Sequence, residues 1–341
     1  MFQVQGSGIM PNSTLKEVSM EAGVSIALAS VVLNNKQGRI MASAETRERI
    51  LSAAKRLGYE ANRTAKALRF SRSFLIGTIA YNIDTSFVPE ILAGIESSCL
   101  NTSYNVIIAS CDNSEDFLIR LNNFRRHGID GLILIGYNPD LFSCNIQEHY
   151  NGKVTFVGFP STYSNCSSVC VSAEKIGKLA GESLLAHGHR EIGYLCCVKD
   201  PGKLKGLLSA GVKPGNCHFS ECPNSFDKGV ELALEMLKAH SGITGVFADS
   251  DVLGLAAMKA GAILGKRIPD ELSVIGTDDS LFCRYVTPEL SSVRQPRREQ
   301  GQVATTLLMD MIDGKPPHNV VLDCELVLRR SVAFRKRDNL V

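Results

Sequence analysis

The chain of 341 residues contains no tryptophan, and only 6% of its residues are aromatic. It also lacks an apolar run close to the roughly 20 residues that a membrane-spanning helix requires. Its first twelve residues, MFQVQGSGIMPN, have neither the basic segment nor the apolar segment of a secretion signal. We therefore expect a cytoplasmic location, no membrane partner, and a disordered leader over residues 1–11.

The eleven cysteines include no C-x-x-C pair. An odd number of dispersed thiols in a chain without a signal is typical of reduced cysteine rather than of disulfides or a zinc site. The segment His187-Gly188-His189 is more typical of the turn at a helix end than of a metal site. The sequence therefore predicts no metal and no cofactor.

Charge is distributed unevenly along the chain. Residues 1–72 contain eleven Lys and Arg against five Asp and Glu, a net charge of +6, whereas the remainder has 26 basic and 30 acidic residues, a net charge of −4. A polyanionic partner is therefore expected to contact the first 72 residues.

The segment TLKEVSMEAGVSIALASVVLN, residues 14–34, has the pattern of two short helices joined by a glycine turn. Thr14 and Glu17 form a capping box at the start of the first helix, and Ser25 can cap the second. Gly23 between them is typical of a helix-turn-helix, whose second helix reads the major groove of DNA. A third helix is expected after Ser43, and its inward residues are predicted to be Ile50, Leu51, Ala54 and Leu57.

From Ser73 onward, short β-branched runs alternate with amphipathic helical patterns, which indicates parallel sheets covered by helices. One lobe is predicted from the strands FLIGTIAY, NVIIAS, DGLILIGY and KVTFVGF, and a second from SVCVS, EIGYLCC, GVFAD and LSVIGTD. The predicted fold class is α/β, with an N-terminal three-helix head and a hinge helix followed by two doubly wound parallel-sheet lobes.

Polar residues follow several of these strands, and open α/β sheets bind ligands outside the carboxyl ends of their strands. In the second lobe, Asp278 and Asp279 follow one strand, while Asp249, Ser250 and Asp251 follow another. Asp251 is expected to be a helix cap. In the first lobe the residues after strands are Thr85, Ser86, Phe87, Asn113 and Phe159, of which the two aromatic residues could stack on a sugar or purine face.

Two classes of function remain possible for these strand ends. The carboxylates of Asp249, Asp278 and Asp279 could serve acid–base or metal chemistry in an enzyme, or in a small-molecule-binding protein with weak or non-specific DNA binding. Against an enzyme, the sequence has no serine nucleophile elbow, no phosphate-binding Gly-rich loop and no histidine among these aspartates. We therefore expect no catalytic residues.

The head fragments AGVS, VLN, ETRERI, LGY and NRTAKALR, in this order and spacing, resemble the lactose/galactose-repressor (LacI/GalR) family of bacterial transcription regulators. GHREIGYL, GVFADSDVLGLAAM, KRIPDELSVIGTDD and TPELSSVRQP extend the resemblance over about residues 14–333. It implies a sequence-specific repressor that acts as a homodimer on a pseudo-palindromic double-stranded operator. A small polar effector, a sugar or sugar derivative, would control it from a cleft between two periplasmic-binding-protein-like lobes.

The resemblance also implies a division of the chain. A helix-turn-helix domain would span 12–60, a hinge helix and linker 61–72, and an effector-binding and dimerisation core 73–341. Within the core, lobe 1 would comprise about 73–170 and 300–322, and lobe 2 about 171–299 and 323–341, because the chain of this fold crosses between its lobes three times.

The resemblance assigns roles to individual residues. Asp278 would accept hydrogen bonds from effector hydroxyls beside Ser250, and Lys203 stands where the family usually has an effector-binding arginine. Leu68 would wedge between base steps in the minor groove, from a hinge segment too short to be a stable helix alone. The predicted effector-binding residues are Thr85, Ser86, Phe87, Asn113, Phe159, Lys203, Ser250 and Asp278. The predicted DNA-binding residues are Thr14, Ser25, Ile26, Ala27, Ser30, Asn34, Lys36, Arg39, Asn62, Arg63, Lys66, Leu68 and Arg69.

The reading helix departs from the family pattern. Ile26 and Ala27 occupy the usual base-reading positions, whereas bases are normally distinguished by Arg, Lys, Asn or Gln. We therefore expect contacts with thymine methyl groups, DNA deformability and hinge insertion to contribute more to specificity than is usual.

Overall fold

The computed structural model describes residues 13–33, 42–59, 72–100, 102–136, 146–161, 163–197 and 201–335. Its contacts divide the chain into two units, a head up to Ser73 and a core from Phe74. Among the described residues, no helix combines the length and apolar character needed to cross a bilayer.

The head contains three helices, α1 (Leu15–Glu21), α2 (Ile26–Leu33) and α3 (Ala44–Arg56). The predicted capping box is confirmed, because the Thr14 N–H donates to Glu17 Oε2 at 2.6 Å and the Glu17 N–H donates to Thr14 Oγ1 at 3.3 Å. Ser25 Oγ accepts the Leu28 N–H at 3.2 Å and so caps α2 as predicted. The turn between α1 and α2 uses Gly23 at φ +62°, a left-handed conformation that glycine adopts without strain.

The core of the head is small and differs in part from the prediction. Ile50 and Ala54 are buried as expected, but Leu51 is 48% exposed and Leu57 is 36% exposed, so their inward placement was wrong. Ala53 is buried instead. The buried stripe of α3 therefore follows the i, i+3, i+4 spacing from Ile50, and this narrow stripe leaves both leucines at its margin.

The first lobe is a six-stranded sheet in the order β11-β5-β4-β3-β1-β2. Its strands are β1 (Leu75–Tyr81), β2 (Asn105–Cys111), β3 (Gly131–Ile135), β4 (Lys153–Val157), β5 (Cys166–Val171) and, near the end of the chain, β11 (Asn319–Leu322). The helices that follow its first strands are α4 (Val88–Cys99), α5 (Ser114–Arg126) and the short α6 (Ile146–His149).

The second lobe is a six-stranded sheet in the order β12-β10-β9-β8-β6-β7. Its strands are β6 (Ile192–Cys196), β7 (Cys217–Glu221), β8 (Gly245–Ala248), β9 (Ser273–Asp278), β10 (Ser291–Arg294) and β12 (Glu325–Val327), which pairs antiparallel to β10. Its helices are α7 (Ala173–Ala186), α8 (Pro201–Ser209), α9 (Phe226–Ala239), α10 (Asp251–Ile263) and α11 (Phe282–Tyr285), with a 3₁₀ turn at Pro214–Asn216. The last helix, α12 (Arg297–Ile312), leaves this lobe and packs on α4 of the first.

One strand belongs to the first sheet, although the sequence pattern assigned it to the second. SVCVS overlaps β5, which pairs parallel with β4 through Val157 and Val169, so this segment belongs to the first lobe. A short apolar run does not indicate which sheet it joins, because that choice depends on long-range pairing. The chain passes between the sheets after β5, after β10 and after β11.

Two pairs of helices approach each other closely at glycines. A Cβ added to Gly94 of α4 would lie 2.1 Å from the Arg298 carbonyl oxygen of α12. In the second lobe, a Cβ on Gly177 of α7 would lie 1.9 Å from the Lys203 carbonyl oxygen, and one on Gly206 of α8 would lie 2.1 Å from that of Glu174. The backbone of α8 is therefore held directly against α7.

A buried histidine gives the core a pH-dependent stability. His189 is 2% exposed, with Nε2 3.1 Å from the Ala333 carbonyl oxygen and Nδ1 3.0 Å from Thr244 Oγ1. Burial lowers the pKa of His189 to about 4, although the hydrogen bond to Ala333 opposes this change. The unfolded chain, in which the pKa is about 6.5, then binds more protons between these two values. The stabilisation is complete above pH 6.5 and is lost as the pH falls towards 4.

We predict that the free energy of unfolding falls by about 2 kcal/mol more in the natural protein than in a His189→Gln variant between pH 7.5 and pH 5. Urea unfolding at the two pH values measures this difference. His127→Gln, at an exposed histidine, serves as the control and should follow the natural protein. Parallel pH dependence in the natural protein and His189→Gln would contradict the assignment.

Candidate functional site

The head presents the start of α2 to solvent. Ser25, Ile26 and Ala27 are exposed there, Ile26 to 49%, while Ser30 is half-buried and Thr14 is exposed at the cap of α1. The start of α2 thus offers one hydroxyl group, from Ser25, and two apolar side chains, from Ile26 and Ala27. The remaining predicted DNA-binding residues lie outside the described residues: Asn34, Lys36, Arg39, Asn62, Arg63, Lys66, Leu68 and Arg69.

Two arginines of α3 connect it to α1. Arg49 Nε donates to the Ala22 carbonyl oxygen at 2.9 Å, and the Arg56 guanidinium lies 3.1 Å from Glu21 Oε1. Both contacts reach the end of α1 that leads into the turn before α2. They therefore help to hold α3 against the end of α1.

In the core, the carboxyl ends of β6, β8 and β9 are adjacent because these strands are neighbours in the second sheet. Asp249, directly after β8, accepts hydrogen bonds from the Tyr194 hydroxyl at 2.7 Å and from the Cys197 N–H at 2.9 Å. Lys203 Nζ lies 3.1 Å from Asp249 Oδ1. Both carboxylate oxygens of Asp249 are thereby engaged.

Lys203 belongs to α8, and its backbone is positioned by the contact with Gly177. Only 14% of its side chain is exposed. Burial alone would lower the pKa of Lys203, but the charge of Asp249 and the hydrogen bond to it outweigh burial and raise the pKa. The lysine is therefore a largely buried cation that faces Asp249.

Asp278, the last residue of β9, is joined to the segment that leads into α12. It forms a buried ion pair with Arg297 and accepts a hydrogen bond from Gln295 Nε2 at 2.9 Å. The Arg297 guanidinium carbon also lies 4.4 Å from the ring centroid of Phe87, in the first lobe. Two predicted effector residues from different lobes, Phe87 and Asp278, are thus connected through Arg297.

Asp251 is not a helix cap, contrary to the prediction. Ser250 caps α10, since its Oγ accepts the Leu253 N–H at 3.2 Å, and the same Oγ donates to Asn224 Oδ1 at 2.7 Å. Asp251 is fully buried and accepts the Ser280 N–H at 2.6 Å. Burial, and then the nearby charge of Asp278, raise the pKa of Asp251 to about 6. The cap position and the first helical position are adjacent in the sequence, so the pattern did not distinguish Ser250 from Asp251, and the Asp251 carboxylate instead supports the loop after β9.

Asp279 also has cationic partners. Its carboxylate lies 2.7 Å from Arg294 Nε and forms a second ion pair with Arg329. Asp279 adopts φ +57°, and Asp278 adopts φ +108°. Non-glycine residues seldom have positive φ, and the ion pairs hold both aspartates in this conformation.

The other predicted effector residues of the first lobe have local roles. Thr85 Oγ1 donates to the Asn82 carbonyl oxygen at 2.9 Å, and Ser86 is half-buried beside Phe87. Asn113 caps α5 by accepting the Asp116 N–H at 2.9 Å. The Phe159 ring packs 5.1 Å from that of Phe156. These partners all lie in the first lobe, so the roles of these residues in binding an effector stay predictions.

Sequence reasoning missed several residues of this site. Arg297, Gln295, Tyr194 and Cys197 were not proposed as site residues, and Asp249 was considered only in the alternative of an enzyme or a small-molecule-binding protein. For Cys197 and Gln295 the available signal was their position after a strand, since Cys197 follows β6 and Gln295 follows β10. Which cation pairs with which aspartate is a tertiary property.

Metal and disulfide chemistry have no visible support among the described residues. No group of three or more His, Cys, Asp or Glu residues there could hold a metal ion. The ten cysteines in the described ranges are free thiols. Burial raises the pKa of both Cys196 and Cys197 to about 12, which keeps these two thiols protonated at neutral pH.

We predict that Arg297→Met lowers the free energy of unfolding by about 3 kcal/mol, because it leaves the carboxylate of Asp278 buried without its cation. Adding Asp278→Asn should restore most of this loss. Denaturant unfolding measures both effects, and the neighbouring exposed Arg298→Met is the control, with a change within about 0.5 kcal/mol. An equal loss in the single and the double variant would show that the two groups are not energetically coupled.

Comparisons with known proteins agree with this geometry. Residues 14–62 match the family described as bacterial regulatory proteins, lacI family, and residues 181–332 match a periplasmic binding protein-like domain. The HTH-type transcriptional repressor PurR of Erwinia tasmaniensis is 28% identical over 334 residues, covering 94% of this chain and 97% of the relative.

Solved structures of similar proteins cover most of the chain. The Lac repressor dimer bound to operator and the anti-inducer ONPF is 25% identical, with a TM-score of 0.79 over 95% of this chain and all of that one. A LacI family regulator from Enterococcus faecium with bound ribose is 26% identical, with a TM-score of 0.70 over 77% of this chain and all of that one. The predicted fold class and the predicted family are confirmed. With its helix-turn-helix head and its two-lobed core, the chain belongs to the LacI family of bacterial transcriptional regulators.

Proposed function

We propose that this regulator represses transcription from the cytoplasm by binding an operator as a homodimer, and that a small polyhydroxylated effector in the cleft of its core controls that binding. The observation that carries the proposal is the buried contact of Arg297 with Asp278 and Phe87, which joins the two lobes where a ligand would enter. The similar regulators with bound ribose and with bound cellobiose support a sugar-like effector.

The division of labour follows the chain. Residues 12–60 would bind the major groove, 61–72 would fold as a hinge helix in the minor groove, and 73–341 would bind the effector and the second protomer. A ligand that binds one lobe arrangement more tightly than another shifts the population towards it. The lobe arrangement would then set the distance between the two hinges of the dimer.

We propose that the strand-end carboxylates are binding groups, not catalytic ones. General acid–base catalysis needs a carboxylate that can exchange a proton with its substrate. Asp249 is paired with Lys203, Asp278 with Arg297, and Asp279 with two arginines. Fixed ion pairs of this kind orient a ligand but are poorly suited to transferring protons.

The hinge gives a direct test of the DNA-binding mode. We predict that Leu68→Ala weakens binding to an operator selected from genomic fragments by at least about tenfold, because the wedge between base steps is lost. Its dependence on salt should not change, since leucine neutralises no phosphate. Fluorescence anisotropy at several salt concentrations measures both quantities.

Lys66→Ala is the matched control for the hinge. The family resemblance implies that Lys66 lies near a phosphate, so this variant should reduce the slope of log K against log salt by about 1. Undiminished operator affinity in Leu68→Ala would reject the wedge, and a flat salt dependence of the natural protein would reject the basic head as the DNA-binding surface.

The homodimer is proposed from an apolar surface around α11. Leu281, Phe282 and Tyr285 are 60%, 52% and 72% exposed within a short segment of the second lobe. Clustered exposed apolar side chains are characteristic of protein interfaces. The second copy of this chain would cover them.

We predict that Tyr285→Asp converts the dimer into a monomer, because dimerisation would bury an unpaired carboxylate. Sedimentation equilibrium of the full-length protein gives the mass directly. Val321→Asp, at an apolar residue of β11 that is 64% exposed, is the control and should remain dimeric. A dimer that survives Tyr285→Asp would place the interface elsewhere.

A further inference from the structure

At the carboxyl ends of the strands in the second lobe, the cation of Lys203 already has an anionic partner, Asp249. Lys203 Nζ lies 3.1 Å from Asp249 Oδ1 and 3.5 Å from the Asp249 carbonyl oxygen. The exposed fraction is 14% for the Lys203 side chain and 4% for that of Asp249. The pair is therefore shielded from solvent. Two opposite charges attract each other more strongly in such an environment than at the protein surface.

Asp249 is held in this position by groups besides the lysine. The Tyr194 hydroxyl donates to Oδ1 at 2.7 Å from a side chain that is 2% exposed, and the Cys197 N–H donates to Oδ2 at 2.9 Å. Three donors thus fix the carboxylate. A ligand that displaced Lys203 from it would leave a buried negative charge without its cation.

Arg297, the other buried cation near the carboxyl ends of these strands, also has an anionic partner. Arg297 forms its ion pair with Asp278, so these two cations, Lys203 and Arg297, are each matched by one carboxylate. An incoming carboxylate or phosphate would meet no uncompensated positive charge and would lie close to two carboxylates. An uncharged hydroxyl can instead donate to an aspartate oxygen or accept from a buried donor, and Arg297 Nε has no hydrogen-bond partner among the described residues.

We propose that Asp249 is a specificity-determining residue, which neutralises Lys203 and thereby makes the cleft select uncharged polyhydroxylated ligands over carboxylates and phosphates. This inference rests on the proposed function of the cleft as an effector site. Lys203 would then position the carboxylate of Asp249 and would not bind an anionic group of the ligand.

Asp249→Asn tests this directly, because it keeps the side-chain shape while releasing the charge of Lys203. Titration calorimetry of the full-length protein with inorganic phosphate measures the effect. The dissociation constant should be at least about tenfold lower in Asp249→Asn than in the natural protein, because the released Lys203 can form one charge-assisted hydrogen bond to phosphate. The gain should disappear in Asp249→Asn combined with Lys203→Gln. A folded Asp249→Asn protein without the gain would overturn the proposal.

Matched ligands test the natural protein by the same measurement. Ribose is compared with ribose 5-phosphate, and glucose with glucuronate; the uncharged member of a pair should bind more tightly whenever either member binds. Tighter, Lys203-dependent binding of the anionic member would overturn the proposal. If Asp249→Asn does not fold, phosphate titration of the natural protein against Lys203→Gln decides, since equal affinities support the proposal and a loss in Lys203→Gln contradicts it.

The DNA-binding function is judged separately from this selectivity. Operator binding is measured by anisotropy without any ligand, so its absence would defeat the proposed repressor function. The phosphate and sugar titrations need no DNA. These titrations therefore test only whether the protein selects uncharged over anionic ligands.

Discussion

The arrangement of the core depends on the buried ion pair between Arg297 and Asp278. It links the carboxyl end of β9 to the start of α12, the helix that carries the chain back to the first lobe. The ring of Phe87 against the guanidinium extends this link to the first lobe. Because a buried charge without a partner is strongly unfavourable, the two groups must remain together or exchange partners with a ligand. Under the proposed function, a molecule that binds between the lobes would act on this same contact.

Local patterns predicted most of the secondary structure, because caps and periodicity are properties of neighbouring residues. The capping box of Thr14 and Glu17 is an example. The errors came where the answer depended on distant parts of the chain. Leu51 was expected in the core, but the small head has room for only the narrow stripe that includes Ala53. The segment SVCVS had a recognisable strand pattern, yet only its pairing with β4 assigns it to the first sheet.

For the candidate site, too, the sequence predicted the features that depend on neighbouring residues and not those that depend on distant ones. Strand ends indicated that Asp249 and Asp278 lie on one edge of the second sheet, because the order of parallel strands brings such ends together. The cations that pair with them could not be inferred, since Lys203 and Arg297 reach the aspartates from other elements. Asp251 was misassigned because a cap and the first residue of a helix differ by one position in the sequence.

The close contact of α7 with α8 has a consequence for how such a protein can diverge. At Gly177 and Gly206 the two helices touch through backbone atoms, so the Cα position of Lys203 is set without help from its own side chain. Position 203 can therefore change its side chain while the helix stays in place, and position 249 faces it from the end of a buried strand. Paired substitutions at these two positions would let a duplicated copy of the gene acquire a different chemical signal while the rest of the molecule, including its response to that signal, is inherited unchanged.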